Sequence, residues 1–273
     1  MRSIAKLMKD WQFTGPNGVT TAVELPHTWN ARDGQDGGND YWRGCCTYCT
    51  RFAAPVYDPA QQQVWLQFEG VNASAAVLLN GQQLCTHDGG YSTFRAEVTE
   101  LLQAENQLTV RVDNSVNDRV YPQKADFTFY GGIYRDVSLL VVNKNHIALG
   151  HFGDTGVKIT PALQENSADI RVETLVEGSG TVTVELLDAE GRTVAKGEGE
   201  NASLHLDAPH LWNGVKDPYL YTCVVRLLQD GQPVDEVTTR VGLRSFSVDA
   251  MCAACPSSCS PSAPVRRKAR RPA

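Results

Sequence analysis

The chain has 273 residues, of which 42% are apolar and 21% charged, and its formal net charge is −6. This length predicts about two domains of roughly 100–150 residues each, and the composition excludes wholesale disorder. The sequence has no run of 18 apolar residues, which excludes a membrane-spanning helix, and residues 1–10 are too often charged for a signal peptide. We therefore expect a cytoplasmic protein without a membrane partner.

The charge is unevenly distributed along the chain. Residues 251–273 contain five basic residues and no acidic one, which leaves 20 basic against 31 acidic residues, a net −11, in residues 1–250. Nucleic-acid binding requires a clustered positive field on the protein. The net negative charge of residues 1–250 therefore argues against a nucleic-acid partner, although the basic tail at 251–273 could in principle supply an anion-binding or targeting segment.

The eight cysteines are far sparser than in disulfide-stapled domains. Cys46-x-x-Cys49 and Cys252-x-x-Cys255 have a spacing that occurs at zinc sites, but a structural zinc site needs four ligands from loops that converge. Cys46 and Cys49 lie in a stretch with the pattern of an extended chain. We therefore expect thiols at these positions, and we expect neither a metal nor another cofactor.

Apolar and polar residues alternate with a period of two in three clear segments, at 64–69, 108–113 and 181–186. Such alternation is typical of antiparallel strands that have one buried face and one solvated face. The sequence has no long amphipathic pattern that would indicate helices. The one helical candidate is a short turn at 99–102, with Thr99 as its N-cap.

Turn residues separate the predicted strands. Asn80-Gly81 and Asp230-Gly231 each follow an apolar run. They predict tight hairpins, because both residues of each pair tolerate a positive φ. Glu190-Gly191 is a weaker signal of the same kind.

The strand pattern predicts two all-β domains and a tail. The first domain comprises 1–143, and the second comprises 146–249 with about seven strands, the size and strand number of an immunoglobulin-like sandwich. Residues 250–273 contain almost only Cys, Ala, Ser, Pro and Arg, a composition that predicts disorder. We interpret this tail as an out-of-frame translation or an assembly error rather than as evolved sequence.

Several short motifs in a fixed order identify a family resemblance. Each motif alone is weak, and their combination in this order is specific. In chain order they are Leu25-Pro26-His27-Thr28-Trp29-Asn30, Asn39-Asp40-Tyr41-Trp42-Arg43-Gly44, Phe68-Glu69-Gly70-Val71, His87-Asp88-Gly89-Gly90-Tyr91, Val110-Arg111-Val112-Asp113-Asn114, Tyr130-Gly131-Gly132-Ile133-Tyr134-Arg135-Asp136-Val137, Pro218-Tyr219-Leu220-Tyr221 and Val241-Gly242-Leu243-Arg244-Ser245-Phe246. From Trp11 to Asp249 the chain resembles the N-terminal part of the family 2 glycoside hydrolases, which include β-galactosidases, β-glucuronidases and β-mannosidases.

The resemblance implies an all-β fold, a jelly-roll β-sandwich followed by an immunoglobulin-like β-sandwich. In the family a (β/α)8 barrel follows and holds both catalytic glutamates. That fold needs about 200 residues or more, which residues 250–273 cannot supply. The resemblance therefore implies a fragment truncated before the catalytic barrel. We expect no catalytic residue in this chain and no glycoside hydrolysis by the chain alone.

The resemblance also implies where a sugar would touch the first domain. Asp126 matches the position whose carboxylate accepts hydrogen bonds from sugar hydroxyls in the family, and the alternative is an Asp that caps a loop. Asn39 and Asp40 are looser matches to a sugar-contacting Asn, and a plain turn is an equal alternative. The expected partner is a terminal β-glycoside, bound weakly by the isolated chain, with galactoside favoured over glucuronide by the overall likeness of the loops.

Two further functions stay open at this point. One is a free-standing carbohydrate-binding module, and the other is a structural β-sandwich that mediates oligomer contacts, as intact family members are often homo-oligomers.

Several aromatic residues are interpreted as structural. Trp29, Trp42 and Trp65 are interpreted as packing anchors, and Trp212 with Tyr219 and Tyr221 as a packing corner of the second domain. His87 and His210 have no Ser or Cys in a nucleophile context, so we expect no hydrolase triad.

Overall fold

The computed structural model describes residues 1–31, 41–122, 127–150 and 153–246. Within these ranges the chain is almost entirely β-strand, and the one helical segment is a single 3-10 turn, Thr99–Leu101. No helix of the described residues is long and apolar enough to cross a membrane. The prediction of an all-β fold is confirmed, whereas the tail at 250–273 lies outside the described residues.

The chain divides into two compact units. One comprises Met1–Lys158, Thr174–Thr183 and Val225–Val237, and the other comprises Ile159–Glu173, Val184–Val224 and the residues from Thr238 onward. The domain limits predicted from the sequence, 1–143 and 146–249, stay a prediction.

Among the described residues, thirteen strands precede residue 144. They are β1 Ser3–Lys6, β2 Trp11–Thr14, β3 Thr20–Val23, β4 His27–Thr28, β5 Cys45–Ala53, β6 Gln62–Phe68, β7 Val71–Asn72, β8 Ser74–Leu79, β9 Gln82–Asp88, β10 Phe94–Glu97, β11 Glu105–Asp113, β12 Gly132–Ile133 and β13 Val137–Asn143. They form a four-stranded sheet in the order β1-β13-β6-β10, a six-stranded sheet in the order β3-β2-β5-β11-β8-β9, and a small sheet β4-β12-β7. Their pairings are antiparallel, as the period of two predicted.

The core of this sandwich lies between the two larger sheets. Leu66 and Phe68 of β6 alternate with less buried neighbours and meet Tyr48 of β5 and Val110 of β11 in one apolar cluster. Phe68 stacks on Phe94 with ring centroids 4.9 Å apart. Full burial of each large apolar side chain contributes about 1.5–3 kcal/mol. The two packed antiparallel sheets form the jelly-roll β-sandwich that the resemblance implied.

Strand β13 is buried on both faces, which explains its run of four consecutive apolar residues at 139–142. Leu139 and Val141 belong to the sandwich core. Leu140 and Val142 point to the opposite face, where they pack with Leu149. When a strand is covered on both faces, successive side chains are all shielded from water, so apolar residues can follow one another without alternation.

Both strong hairpin predictions are confirmed. Asn80 and Gly81, between β8 and β9, have φ angles of 52° and 84°, and Asp230 and Gly231 have φ angles of 48° and 76°. Two consecutive residues with positive φ match the right-handed twist of the strands that they join.

The prediction of Thr99 as an N-cap is wrong. Val98 is the N-cap of the 3-10 turn and makes no side-chain capping bond. The Thr99 hydroxyl instead accepts a hydrogen bond from the backbone N–H of Val64 and donates one to Glu97 Oε1. A tertiary contact with β6 therefore decides what this hydroxyl binds.

The part of the chain that the structure describes after residue 144 contains nine strands. They are β14 His146–Ile147, β15 Val157–Leu163, β16 Ser167–Thr174, β17 Val176–Glu177, β18 Thr181–Leu187, β19 Thr193–Glu198, β20 Asn201–Asp207, β21 Tyr221–Gln229 and β22 Gln232–Val241. Seven of them form the sheets β15-β16-β20 and β19-β18-β21-β22, and β14 pairs with β17. The seven strands in sheets of three and four make the immunoglobulin-like β-sandwich that was predicted.

The predicted packing corner is present in part. Tyr219 and Tyr221 meet edge to face at 5.0 Å, and the Tyr221 hydroxyl accepts a hydrogen bond from the N–H of His210. The His210 ring stacks on Tyr219 at 3.9 Å. Trp212 instead packs under the guanidinium of Arg244, at 4.6 Å.

The Cys46-x-x-Cys49 pair cannot hold one metal ion. Cys46 is buried in the sandwich core, and Cys49, three residues along the same strand, points to the other face of the sheet. Burial raises the pKa of the Cys46 thiol to about 12, so this side chain is not a thiolate at neutral pH. The five described cysteines are free, and no described group of His, Cys, Asp and Glu could hold a metal.

Candidate functional site

The three predicted sugar-contacting residues, Asp126, Asn39 and Asp40, lie outside the described residues. The structure does describe the segments that flank them. These are the residues after β4, those before β5, those after β11 and those before β12. The candidate site is therefore built from these flanking segments, which meet at one end of the jelly-roll sandwich.

Two buried asparagines join the flanking segments. Asn114 Nδ2 donates hydrogen bonds to Asn30 Oδ1 at 3.1 Å and to the carbonyl of Phe129 at 2.8 Å, and Asn114 Oδ1 accepts one from the N–H of Gly44. Asn30 Oδ1 also accepts from the N–H of Gly131, at 2.8 Å. Both side chains are fully buried. The pair thus fixes the chain on either side of both predicted sugar-contacting loops.

Trp29 packs against the backbone just before β12. A Cβ atom at Gly131 would lie 2.0 Å from Trp29 Cζ2, so only glycine fits there. Trp29 stacks on Phe13 at 6.0 Å and belongs to the margin of the core. The prediction of Trp29 as a packing anchor is confirmed.

An open cleft lies beside these anchored segments. Residues that line it include Arg43, Asn72, Tyr91, Asn117, Tyr121 and Phe129. Tyr91 and Tyr121 are well exposed, so their rings are available to a ligand.

Arg43 is held in one orientation at this cleft. Its Nε donates a hydrogen bond to the carbonyl of Asn114 at 2.7 Å, and its guanidinium carbon lies 4.8 Å from the centroid of the Phe129 ring. A guanidinium over an aromatic face is attracted by the ring quadrupole. Arg43 therefore presents its terminal nitrogens from a fixed position.

Asn72 fixes the opposite wall of the cleft. Its Nδ2 donates a hydrogen bond to the carbonyl of Tyr130 at 2.6 Å. A Cβ atom at Gly90 would lie 2.3 Å from Asn72 Oδ1, so Gly90 allows this close approach. The Tyr134 hydroxyl donates to the carbonyl of Gly90, and burial raises the pKa of Tyr134 to about 12.

The sequence analysis missed a serine beside His87. The Nε2 atom of His87 lies 3.1 Å from Ser92 Oγ and 3.1 Å from the carbonyl of Gly89. A carbonyl can only accept, so the contact with Gly89 places the proton on Nε2. An Nε2 that carries the proton cannot take one from Ser92, and the pair is not an activated nucleophile.

Sequence reasoning gave no role to Arg43, Asn30, Asn114 or Asn72. Arg43, Asn30 and Asn114 belong to the motifs that carry the family resemblance, and this membership was the only indication in the sequence that they have a role. Their roles depend on contacts between segments far apart in the chain.

His27 gives this end of the sandwich a pH dependence. It lies 4.8 Å from the Phe13 ring, with Nδ1 2.7 Å from the Tyr48 hydroxyl, and burial lowers its pKa below the usual 6.5. Below pH 6.5 the unfolded chain therefore binds more protons at this position. We expect stability to fall as the pH drops from 6.5 through the pKa of the folded state.

The measurement is urea unfolding between about pH 8 and about pH 5, with His27→Gln expected to reduce the loss at low pH. His205 is the matched control with the opposite sign. Hydrogen bonds that His205 donates to Asp169 and Asp207 raise its pKa, so its contribution to stability is present below pH 6.5 and is lost as the pH rises through the folded-state pKa. An unchanged pH slope in His27→Gln would contradict this assignment.

Comparisons with known proteins agree with this architecture. The sequence profile described as "Glycosyl hydrolase 2 galactose-binding domain-like" matches residues 39–162, and the profile described as "Glycosyl hydrolases family 2" matches residues 151–244. The two profiles together cover most of the described chain.

Similar proteins are named as glycosidases. A beta-glucuronidase of Bacteroides fragilis is 34% identical over 265 residues, covering 89% of this chain and 38% of that protein. A beta-galactosidase of Bacteroides ovatus is 32% identical, covering 88% and 31%. The chain thus spans well under half the length of these relatives.

Solved structures are also similar. The crystal structure titled FMN-binding beta-glucuronidase from Facaelibacterium prausnitzii L2-6 has a TM-score of 0.86 and 36% identity, covering 91% of this chain and 40% of that one. A putative beta-galactosidase from Bacteroides fragilis has a TM-score of 0.81 and 35% identity, covering 90% and 42%.

Proposed function

The chain belongs to family 2 of the glycosyl hydrolases, and from this premise we propose that it is the non-catalytic, sugar-recognising part of an enzyme that hydrolyses terminal β-glycosides. The observation that carries the proposal is the cleft at one end of the jelly-roll sandwich. Its walls are built by the segments that flank Asp126, Asn39 and Asp40. We propose these three residues as sugar contacts.

The chemistry of the described cleft suits a sugar. Asn72 and Asn117 supply amide groups, and Tyr91 and Tyr121 supply exposed rings with hydroxyl groups. A pyranose has hydroxyls that bind amides and carboxylates, and a C–H face that packs on aromatic rings. Small-molecule sites combine such apolar walls with a few polar groups that set orientation.

The described residues do not suit catalysis of glycoside hydrolysis. A retaining glycosidase holds two carboxyl groups about 5 Å apart on either side of the scissile bond. No described acidic residue lines the cleft. We propose that the acid/base and the nucleophile belong to a catalytic domain, which is supported by the greater length of the relatives.

The test combines hydrolysis and binding assays on the 273-residue chain. We expect no turnover of nitrophenyl β-galactoside or nitrophenyl β-glucuronide. We also expect monosaccharides to bind in the millimolar range, with NMR shift changes confined to amides around the cleft, because half of a sugar's polar partners would be missing. Turnover that is lost when one of the chain's own glutamates is replaced would overturn the proposal. Sub-millimolar affinity would favour a free-standing carbohydrate-binding module instead.

A further inference from the structure

Three asparagines of the chain stand directly before a glycine, at Asn17, Asn80 and Asn213. In such a pair the backbone nitrogen of the glycine can attack the carboxamide of the asparagine, because glycine has no side chain to hinder the approach. The attack closes a five-membered imide and releases ammonia, and water then opens the imide to aspartate or isoaspartate. The fold determines which of the three carboxamides can reach its own glycine.

The carboxamide of Asn80 is bound to a neighbouring segment. Its Nδ2 donates hydrogen bonds to the carbonyl of Leu101 and to Asn106 Oδ1, both at 3.0 Å. Its Oδ1 accepts one from the N–H of Gln107 at 2.9 Å. These three hydrogen bonds have to open before the Gly81 nitrogen can attack, so the fold protects Asn80.

Asn213 is held in a short β-bridge. Its backbone pairs with Asp217, and its N–H donates a hydrogen bond to the Asp217 carbonyl at 2.7 Å. Asn213 and Gly214 are both half-buried. Ring closure requires the backbone of the pair to rearrange, which would break this bridge, so the fold protects Asn213 as well.

Asn17 lies in the loop between β2 and β3, where Pro16–Thr20 are all exposed. The one hydrogen bond of its side chain to a described residue is local, because Oδ1 accepts it from the N–H of Val19 at 3.0 Å. This bond joins the carboxamide to the backbone two residues further on. The carboxamide therefore lies along the peptide group of Gly18 and is not bound to another segment.

The glycines do not distinguish the first two pairs. Gly18 and Gly81 have φ angles of 75° and 84°, and a Cβ atom at either would meet nothing within 4 Å apart from its chain neighbours. The Gly18 N–H donates a hydrogen bond to the Gly15 carbonyl at 3.0 Å, and this bond has to open before the nitrogen attacks. In an exposed turn it opens by local fraying, without disturbing the core.

We propose that Asn17-Gly18 is a site of spontaneous covalent modification, at which the folded chain converts a carboxamide into a carboxylate. The Gly18 nitrogen bonds to Asn17 Cγ, the Cγ–Nδ2 bond breaks, and Nδ2 leaves as ammonia with the proton of the Gly18 nitrogen. One water molecule then opens the imide. The product carries one more negative charge, and its isoaspartate form lengthens the backbone of the turn by one carbon atom. The inference does not depend on sugar recognition.

The fold should tolerate this modification. Strand β3 is an edge strand with three exposed residues, and it pairs with β2 alone. The core residues of the hairpin, Trp11 and Phe13, lie on β2, which also pairs with β5. We therefore expect modified and unmodified chains to unfold at the same urea concentration.

The experiment is incubation of the full chain at mildly alkaline pH, followed by peptide mapping with mass spectrometry. We expect deamidation at Asn17 to be at least about tenfold faster than at Asn80, because each hydrogen bond that has to open slows ring closure. The rate at Asn17 should rise with pH, since the attacking nitrogen has to lose its proton. In the urea-unfolded chain the three asparagines should react at comparable rates, because the contacts of the fold are gone.

Two variants separate the chemistry from the fold. Asn17→Gln should remove isoaspartate from the peptide that contains residue 17, because the longer side chain would have to close a six-membered ring. Asn106→Ala removes an acceptor of Asn80 Nδ2, so it should speed deamidation at Asn80 and leave the rate at Asn17 unchanged.

Faster deamidation at Asn80 or Asn213 than at Asn17 in the folded chain would overturn the inference. An Asn17 that stays intact under conditions where the unfolded chain reacts would overturn it as well. Isoaspartate that persists at this turn in Asn17→Gln would assign the modification to another residue and would have the same consequence.

Discussion

Replacing Arg2 with Met should lower the free energy of unfolding by about 3–5 kcal/mol, because it leaves a buried carboxylate without its cation. Arg2 Nε donates to Asp235 Oδ1 at 2.8 Å, and Arg2 Nη2 donates to Asp235 Oδ2 at 2.6 Å. Asp235 is fully buried, and its Oδ2 also accepts the N–H of Ile147 at 2.8 Å. The measurement is urea unfolding at neutral pH.

Lys6, at the end of the strand β1 that directly follows Arg2, is the matched control. It pairs with Asp136, but its side chain is 64% exposed, and an exposed ion pair contributes little to stability. Lys6→Met should therefore leave the unfolding midpoint almost unchanged. The double variant Arg2→Met, Asp235→Asn should recover part of the loss, since no buried charge remains unpaired. Equal effects of Arg2→Met and Lys6→Met would contradict the assignment.

Local chemistry explains what the sequence could predict about the fold. The alternation at 64–69 and 108–113 placed Leu66 and Val110 in the core, because successive side chains on a strand point to opposite faces. Asn80-Gly81 predicted its hairpin, since the turn depends on the φ angles of those two residues. These signals lie within a few residues of the structure that they determine.

The rest depends on contacts between distant segments. Arg2 and Asp235 are separated by 233 positions, and neither residue stands in a distinctive local pattern. Asn30 and Asn114 are 84 positions apart, and their roles follow from the register of the loops that they join. Thr99 shows the same limit of local sequence signals. Its hydroxyl accepts a hydrogen bond from the N–H of Val64 in β6 and does not form the cap of the 3-10 turn that its local sequence predicted.

Replacing Asn114 with Ala should lower the free energy of unfolding by about 3 kcal/mol and should also weaken ligand binding at the cleft. The change would leave buried partners without their hydrogen bonds, among them the N–H of Gly44 and the carbonyl of Phe129, at about 1–3 kcal/mol for each unsatisfied group. Arg43 and Phe129 would lose the fixed backbone that positions them. The measurements are urea unfolding and an NMR titration with monosaccharides.

Asn106 separates the two effects. It is a buried asparagine near the other end of strand β11, and its side chain bonds to Gln103 and Asn80 rather than to any residue of the cleft. Asn106→Ala should therefore also destabilise the chain, since its partners lose hydrogen bonds. It should leave the affinity for monosaccharides unchanged at a temperature where both variants are folded. If both variants lost affinity equally, Asn114 would affect binding only through the global stability of the chain. A selective loss in Asn114→Ala would show that Asn114 positions the walls of the cleft.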